Sequence, residues 1–239
     1  MSGIGKVLVF DIWGDYAHFR RFETTTSPLT FYIPTRTALA GIIAAIIGLK
    51  RDSYYDYFKP ENSKIGIKIL KPLSKVRINI NLIKTDDGFF LWDNEDNPHS
   101  PTPYEFVKTP SYRIYVRLEC NELQTKLKEN IREHQCYYTP YLGISGLIAN
   151  FQYIGEFDSY EHTVGNDVSI DSVTRNTKVS VKLEVDDYRT YVIEKIPVYM
   201  NKDRVVQEYT DVRFEVNGNP LIIKEGSYYR IGEENVTFI

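Results

Sequence analysis

Lys6-Val7-Leu8-Val9-Phe10-Asp11-Ile12-Trp13-Gly14-Asp15-Tyr16-Ala17-His18-Phe19-Arg20-Arg21-Phe22, followed by Ile33-Pro34-Thr35-Arg36-Thr37-Ala38 and an apolar run to Leu49, decides how the chain folds. Val7 to Phe10 is short, β-branched and aromatic-ended, the composition of a buried strand. Thr35 can cap a helix, and the 12 residues from Ala38 to Leu49 are apolar throughout. That is too short for a membrane span, which takes about 20 residues. A helix apolar on nearly all sides is expected to be buried on nearly all sides. A strand therefore feeds a core helix through a long segment bearing Trp13, Tyr16, His18, Phe19, Arg20 and Arg21. Loops held between rigid elements are where binding and catalysis concentrate.

Working outward, Lys64 to Leu70 alternates, with Ile65, Ile67 and Ile69 on one face and Lys64 and Lys68 on the other. Val76, Ile78, Ile80 and Leu82 then alternate with Lys75, Arg77, Asn79 and Asn81, which predicts a second strand of a sheet buried on one side. The polar side of this pair is either an RNA-binding face or simply wet. Asp86-Asp87-Gly88 signals a turn, and Phe89 to Trp92 reads as a returning arm. Ser111 to Leu118 is a further strand. Asn121 is expected to cap a helix to about Glu133, with Leu123, Leu127 and Ile131 on its core face, and Ala149 to Phe157 reads as a strand. This order is the split βαβ pattern of ferredoxin-like folds, which include RNA-recognition domains. From about Asp158 only alternating runs remain, with His162 to Thr177 as a polar loop. The expected division is an α+β, ferredoxin-like (RRM-like) domain over residues 1–157, with an insertion among its strands, and an antiparallel β module over residues 158–239.

Composition fits a soluble globular chain of 239 residues, 42% hydrophobic and 26% charged. Its 19 tyrosines suit strand packing, and also supply stacking surfaces for bases. The net charge of −3 argues against a general nucleic-acid binder. Between Thr24 and Thr85, however, ten basic residues face three acidic ones, a local excess of +7 that leaves −10 for the remainder. Such a window either binds phosphate or forms an ordinary solvated surface. Cys120 and Cys136 form no CxxC, and no His-Cys spacing suits a metal. Neither a metal nor a cofactor is expected. The two thiols and the absence of a leader pattern at the N-terminus indicate a cytoplasmic protein with no membrane association.

Catalytic signals are sparse: there is no P-loop, GxSxG, HExxH or paired-carboxylate motif. His18, beside Tyr16 and near Arg20, is a candidate general base for metal-independent RNA cleavage, or an imidazole that stacks or hydrogen-bonds within its loop. Gly143-Ile144-Ser145-Gly146 has the spacing of a GXXG clamp for backbone approach to phosphates, and equally that of a tight turn.

Phe10 to Arg21, Ile33 to Leu49, and Tyr141-Leu142-Gly143-Ile144-Ser145-Gly146-Leu147-Ile148-Ala149-Asn150-Phe151 together resemble the fifth CRISPR-associated protein family, of the RAMP superfamily, and within it the type I-B branch. The resemblance implies a subunit of Cascade, the surveillance complex of antiviral defence, with residues 1–157 as a ferredoxin-like palm and the insertion at about 84–110 as its hairpin thumb. In that role the subunit binds CRISPR RNA, holding its 5′ handle and capping the backbone filament, beside the filament subunit and the large subunit that reads target DNA. One branch of the family is itself an endoribonuclease that processes precursor CRISPR RNA with Tyr, Lys and His. No such triad aligns here, so no catalytic residue is assigned and a non-catalytic role is expected. Precursor processing is the alternative, and a protein-only scaffold a second one. The RNA-binding candidates are Arg20, Arg21 and Arg36 for phosphates, and Trp13, His18 and Phe19 for stacking. Lys75 and Arg77 are candidates to follow the backbone along the sheet, and Gly143 and Gly146 to admit it closely. Trp13 and Phe19 equally suit the core, and Arg36 can simply extend from its helix.

Overall fold

A computed structural model describes residues 3–24, 27–83, 99–176, 179–182 and 188–239. The strands are β1 (Gly5–Trp13), β2 (Tyr16–Ala17), β3 (Phe19–Arg20), β4 (Thr30–Phe31), β5 (Ser63–Ile69), β6 (Ser74–Ile83), β7 (His99–Lys108), β8 (Ser111–Leu118) and β9 (Asn150–Thr163). They continue as β10 (Val168–Ile170), β11 (Thr174–Arg175), β12 (Ser180–Lys182), β13 (Tyr191–Met200), β14 (Val206–Glu215), β15 (Leu221–Glu225), β16 (Ser227–Ile231) and β17 (Glu234–Val236). Helix α1 is Arg36–Ile47 and α2 is Asn121–Arg132, with a 3-10 turn at Tyr55–Phe58. The fold is α+β and mostly antiparallel.

The central sheet has the order β17-β16-β9-β1-β8-β5, with antiparallel neighbours throughout. Helices α1 and α2 cross over between β1 and β5 and between β8 and β9. Leu8, Phe10 and Ile12 of β1, Ile65, Ile67 and Ile69 of β5, and Ile114, Val116 and Leu118 of β8 meet both helices in one core. Thr35 caps α1 as expected, its Oγ1 accepting from the Ala38 amide at 3.1 Å. Gly48 closes the helix at φ 88°, where a Cβ would fall 2.6 Å from the Tyr137 ring. Cys120, not Asn121, stands at the N-cap of α2 and makes no side-chain capping bond.

On the reverse face, Val7, Val9, Tyr115, Ile231 and Val236 make a second cluster. There Glu234 accepts from Lys68 Nζ at 2.7 Å, Tyr115 Oη at 2.6 Å and Arg113 at 3.2 Å, while Asp11 takes Arg113 as a bidentate pair. The lysine side of β5 is thus neither wet nor free: Lys68 is held by Glu234 and Asp171. The outer edge of β5 is also covered, since its Ile67 and Ile65 carbonyls accept from the amides of Val173 (2.8 Å) and Ile239 (2.9 Å). Covering an edge in this way removes a template for unwanted strand pairing.

Three sequence expectations change. The strand at 74–83 is not part of the central sheet; it is one arm of a hairpin with β7, paired from Ser74↔Lys108 to Ile83↔His99. Its Ile78 and Leu82 are each 38% exposed, since no layer among the described residues covers that face. The inserted hairpin therefore begins ten residues before the expected 84, and the turn at 86–88 and the arm at 89–92 lie outside the described residues. The expected division at 157 falls inside β9, which runs unbroken to Thr163, and β16 pairs along it. The polar segment 162–177 holds β10 and β11 rather than one loop.

Candidate nucleic-acid interface

The long segment after β1 is tied down on three sides. The His18 amide donates to Leu142 O (2.9 Å), the Phe19 amide donates to Thr30 Oγ1 (2.9 Å), and the Glu105 amide donates to Pro28 O (3.0 Å). A cleft of about 460 Å³ opens beside it, lined by His18, Phe19, Arg20, Thr35, Thr37, Ala38, Tyr104 and the Gly143 turn. Through Thr37, Ala38 and Gly143 it continues into a groove of about 540 Å³ along α1. Ala38, Gly41 and Ala45 form the groove floor, Tyr54, Tyr138 and Tyr141 its rim, and Arg51 its far end. Helix α1 is therefore not buried all round: Thr37, Ala38, Gly41 and Ala45 are half-buried, on the side that faces the groove. Pockets of several hundred Å³ with an apolar floor and a few polar groups are the usual form of binding sites.

The sequence-derived candidates separate into three groups. Arg20 is exposed at the cleft mouth and donates to Thr24 O at 3.2 Å. Arg77 is exposed on the hairpin arm, opposite Glu105 in register. Arg21 lies on the surface, paired with Glu23 at 2.7 Å and set over the Phe31 ring.

A second group is enclosed. Arg36 is 1% exposed, and its guanidinium donates to the carbonyls of Phe58, Val198 and Ser63 and to Ser63 Oγ. Burial pushes its pKa down to about 10, so it stays charged at neutral pH. It joins α1 to the 3-10 turn, β5 and β13, and has no face left for phosphate. Lys75 is likewise engaged: Nζ donates to Thr30 O (2.6 Å), pairs with Glu105 (3.1 Å) and sits 4.1 Å from the Tyr32 ring centre. Phe19 is a core residue, 4% exposed. These three do not fit direct contact with nucleic acid. Trp13 is half-buried at the end of β1, paired with Ser111 and Asn150, away from the cleft lining.

His18 and the two glycines form the third group. His18 is 3% exposed; its Nδ1–H donates to Glu105 O at 2.7 Å, and its ring packs on Tyr104 and Phe106. Burial holds its pKa below the usual imidazole range. Its Nε2 is left buried with no hydrogen-bond partner. Gly143 has φ 97°, and a Cβ there would lie 1.9 Å from His18 O, so the glycine is what lets the turn press against the cleft segment. Gly146 has nothing within 4 Å. Sequence reasoning missed Tyr54, Tyr104, Tyr138, Tyr141 and Arg51. For Tyr54, Tyr138 and Tyr141 the signal was a tyrosine in a segment without strand alternation, where the ring is not needed to fill a pleat, whereas Tyr104 lies on β7 and gave no such signal.

A family model described as CRISPR-associated protein (Cas_Cas5) matches residues 7–137, which run from β1 past the end of α2. The chain belongs to the Cas5 family. No curated protein matches it. Among solved structures, this Cas5 chain is similar to a CRISPR protein from Archaeoglobus fulgidus at TM-score 0.54 and 14% identity, covering 97% of each chain. A chain of a CRISPR RNA-guided surveillance complex matches at TM-score 0.51 and 14% identity, with 92% of this chain and 91% of that one covered. A chain of a type III-B Cmr-beta complex, bound to cognate target RNA and AMPPnP, matches at TM-score 0.50 and 9% identity, covering 92% and 86%. These are likenesses of fold. They extend well past residue 137, so the C-terminal strands belong to the shared architecture. No helix among the described residues is long and apolar enough to cross a membrane.

Proposed function

We propose that this Cas5 chain is a non-catalytic subunit of a CRISPR RNA-guided surveillance complex that grips the 5′ handle of the guide RNA. In this reading β1-α1-β5-β8-α2-β9, in the sheet order β9-β1-β8-β5, is a ferredoxin-like palm, and the β6–β7 hairpin is its thumb. The observation that carries the reading is the joined cleft and groove along α1. It carries two exposed cations, Arg20, bonded to Thr24 O, and Arg51, 3.5 Å from Asp52, together with the aromatic rings of Tyr54, Tyr104, Tyr138 and Tyr141. Single-stranded RNA is typically held this way, with cations on phosphates and rings on unstacked bases. The chain's fold likeness to a surveillance-complex component supports the assignment. Its partners are then CRISPR RNA, the filament subunit, the large subunit and, in the assembled particle, target DNA.

Burial of His18 Nε2 favours gripping over cutting. A general base must reach the proton it removes, and this nitrogen is closed off by its neighbours. The test is titration of labelled repeat RNA against the parent and an Arg20→Ala/Arg51→Ala variant. Affinity is expected to fall about tenfold, and the salt dependence to flatten by roughly two phosphate contacts. Unchanged binding by a folded variant overturns the reading. Sequence-specific cleavage in EDTA that disappears in His18→Ala replaces it with the nuclease alternative.

A further inference from the structure

The helix-bearing face of the central sheet is not fully covered by helices. Beyond Glu156, which is bonded to Lys128 of α2 at 2.8 Å, the β9 residues on this face are Asp158, Tyr160 and His162. Across the β9–β16 register, His162 stands opposite Tyr228 and Tyr160 opposite Arg230. The His162 and Tyr228 rings stack at 5.3 Å and 16°. Tyr160 is 48% exposed, Arg230 is exposed with one bond to Asn235, and on the β1 side Lys6 is exposed opposite Asp158. Among the described residues, Tyr160 thus leaves much of its ring open to an incoming planar group.

We propose that Tyr160 and Arg230, with Lys6 beside them, form a second binding site for single-stranded nucleic acid, separate from the α1 cleft. The tyrosine offers its face to an unstacked base. The guanidinium lies on the neighbouring strand, and the lysine is a diagonal neighbour roughly 7–8 Å away, so both are placed for the flanking phosphates. Asp158 is exposed on the same face opposite Lys6, so Arg230, directly across from Tyr160, is the cation that stands next to the ring. The site stands at the opposite end of β1 from the cleft. Gly5 pairs with Ser159 at one end and Trp13 with Asn150 at the other, a separation of about 25 Å at strand spacing. One bound strand of a few nucleotides therefore does not fill both sites.

The test uses the full chain with a fluorescent oligouridylate of about ten nucleotides, within the range one such surface covers. Tyr160→Ala and Arg230→Glu are each expected to weaken binding about tenfold, Tyr160→Phe to bind like the parent, and Arg20→Ala to leave the Tyr160-dependent part intact. Photocrosslinking of 4-thiouridine substituted oligomers should label Tyr160 in the parent and in Arg20→Ala. Because Arg230→Glu changes only an exposed side chain, the test stands even where Tyr160→Ala folds poorly. Parent-like affinity in folded Arg230→Glu, with no crosslink to Tyr160, overturns the proposal and leaves the cleft reading standing. Concentration-dependent dimers that Arg230→Glu abolishes, with oligomer binding unchanged, overturn it in favour of a second copy of the chain.

Discussion

At the scale of single residues, the charged groups that matter to the fold are those buried without an opposite charge in contact. The two terminal nitrogens of Arg36 are satisfied by carbonyls and a hydroxyl alone, while its Nε is buried with no hydrogen-bond partner among the described residues. Its position in a basic window made it look like a phosphate ligand, because sequence shows charge but not enclosure. Glu194 is the acidic counterpart: 4% exposed, with both carboxylate oxygens on the Tyr32 amide at 3.1 and 3.3 Å. Burial pushes its pKa up from 4.5 to about 7, against the pull of Lys75, the Tyr32 amide and Arg21. A carboxyl whose pKa is raised on folding binds its proton more tightly in the folded state. Its contribution is therefore full below about pH 4.5 and is lost as pH rises through 7. Glu194→Gln should flatten the stability profile between pH 4.5 and 7 and make the protein more stable than the parent at pH 8. Urea denaturation at a series of pH values reads this directly, and an unaltered slope would show that Glu194 stays ionised throughout.

At the scale of elements, α1 and its N-terminal cap were legible because Thr35 stands just before the apolar run, although that run to Leu49 passes the end of the helix, which Gly48 closes. The hairpin was only half legible. Alternation in Lys75 to Leu82 marks a strand correctly, but period two does not say whether a second layer covers the apolar side. The 141–148 turn shows the same limit. Its two glycines look equivalent in sequence, yet one is pressed against His18 O and the other faces open space. Gly143→Ala is therefore expected to cost roughly 2 kcal/mol through its left-handed backbone and the displaced cleft segment. Handle affinity should fall with it. Gly146→Ala should be neutral in both thermal melting and RNA titration. Equal effects of the two substitutions would mean that the turn is not what positions the cleft.

At the scale of the whole molecule, the expected division into palm and C-terminal module misjudged how closely the two are built together. Nothing local in the sequence records that Glu234 meets Lys68, Arg113 and Tyr115, or that Val173 and Ile239 cover β5, because these partners lie 106 to 174 positions apart along the chain. Removing residues 237–239 takes away the Ile239–Ile65 bond and the contacts of Thr237 with Ser172 and Val173. The shortened chain should associate through the bared strand, and the Val173 amide should exchange faster with deuterated solvent. Exchange as slow as in the parent would show that the Val173–Ile67 bond holds without that cover.

That cover also imposes a timetable. The arms of the β6–β7 hairpin pair within one local segment and can do so as soon as both leave the ribosome, whereas β5, completed by residue 69, waits for Val173 and then Ile239 before its flank is sheltered. During synthesis the nascent chain thus carries a bare strand for most of its length, and crowding among copies on one polysome is greatest over that interval.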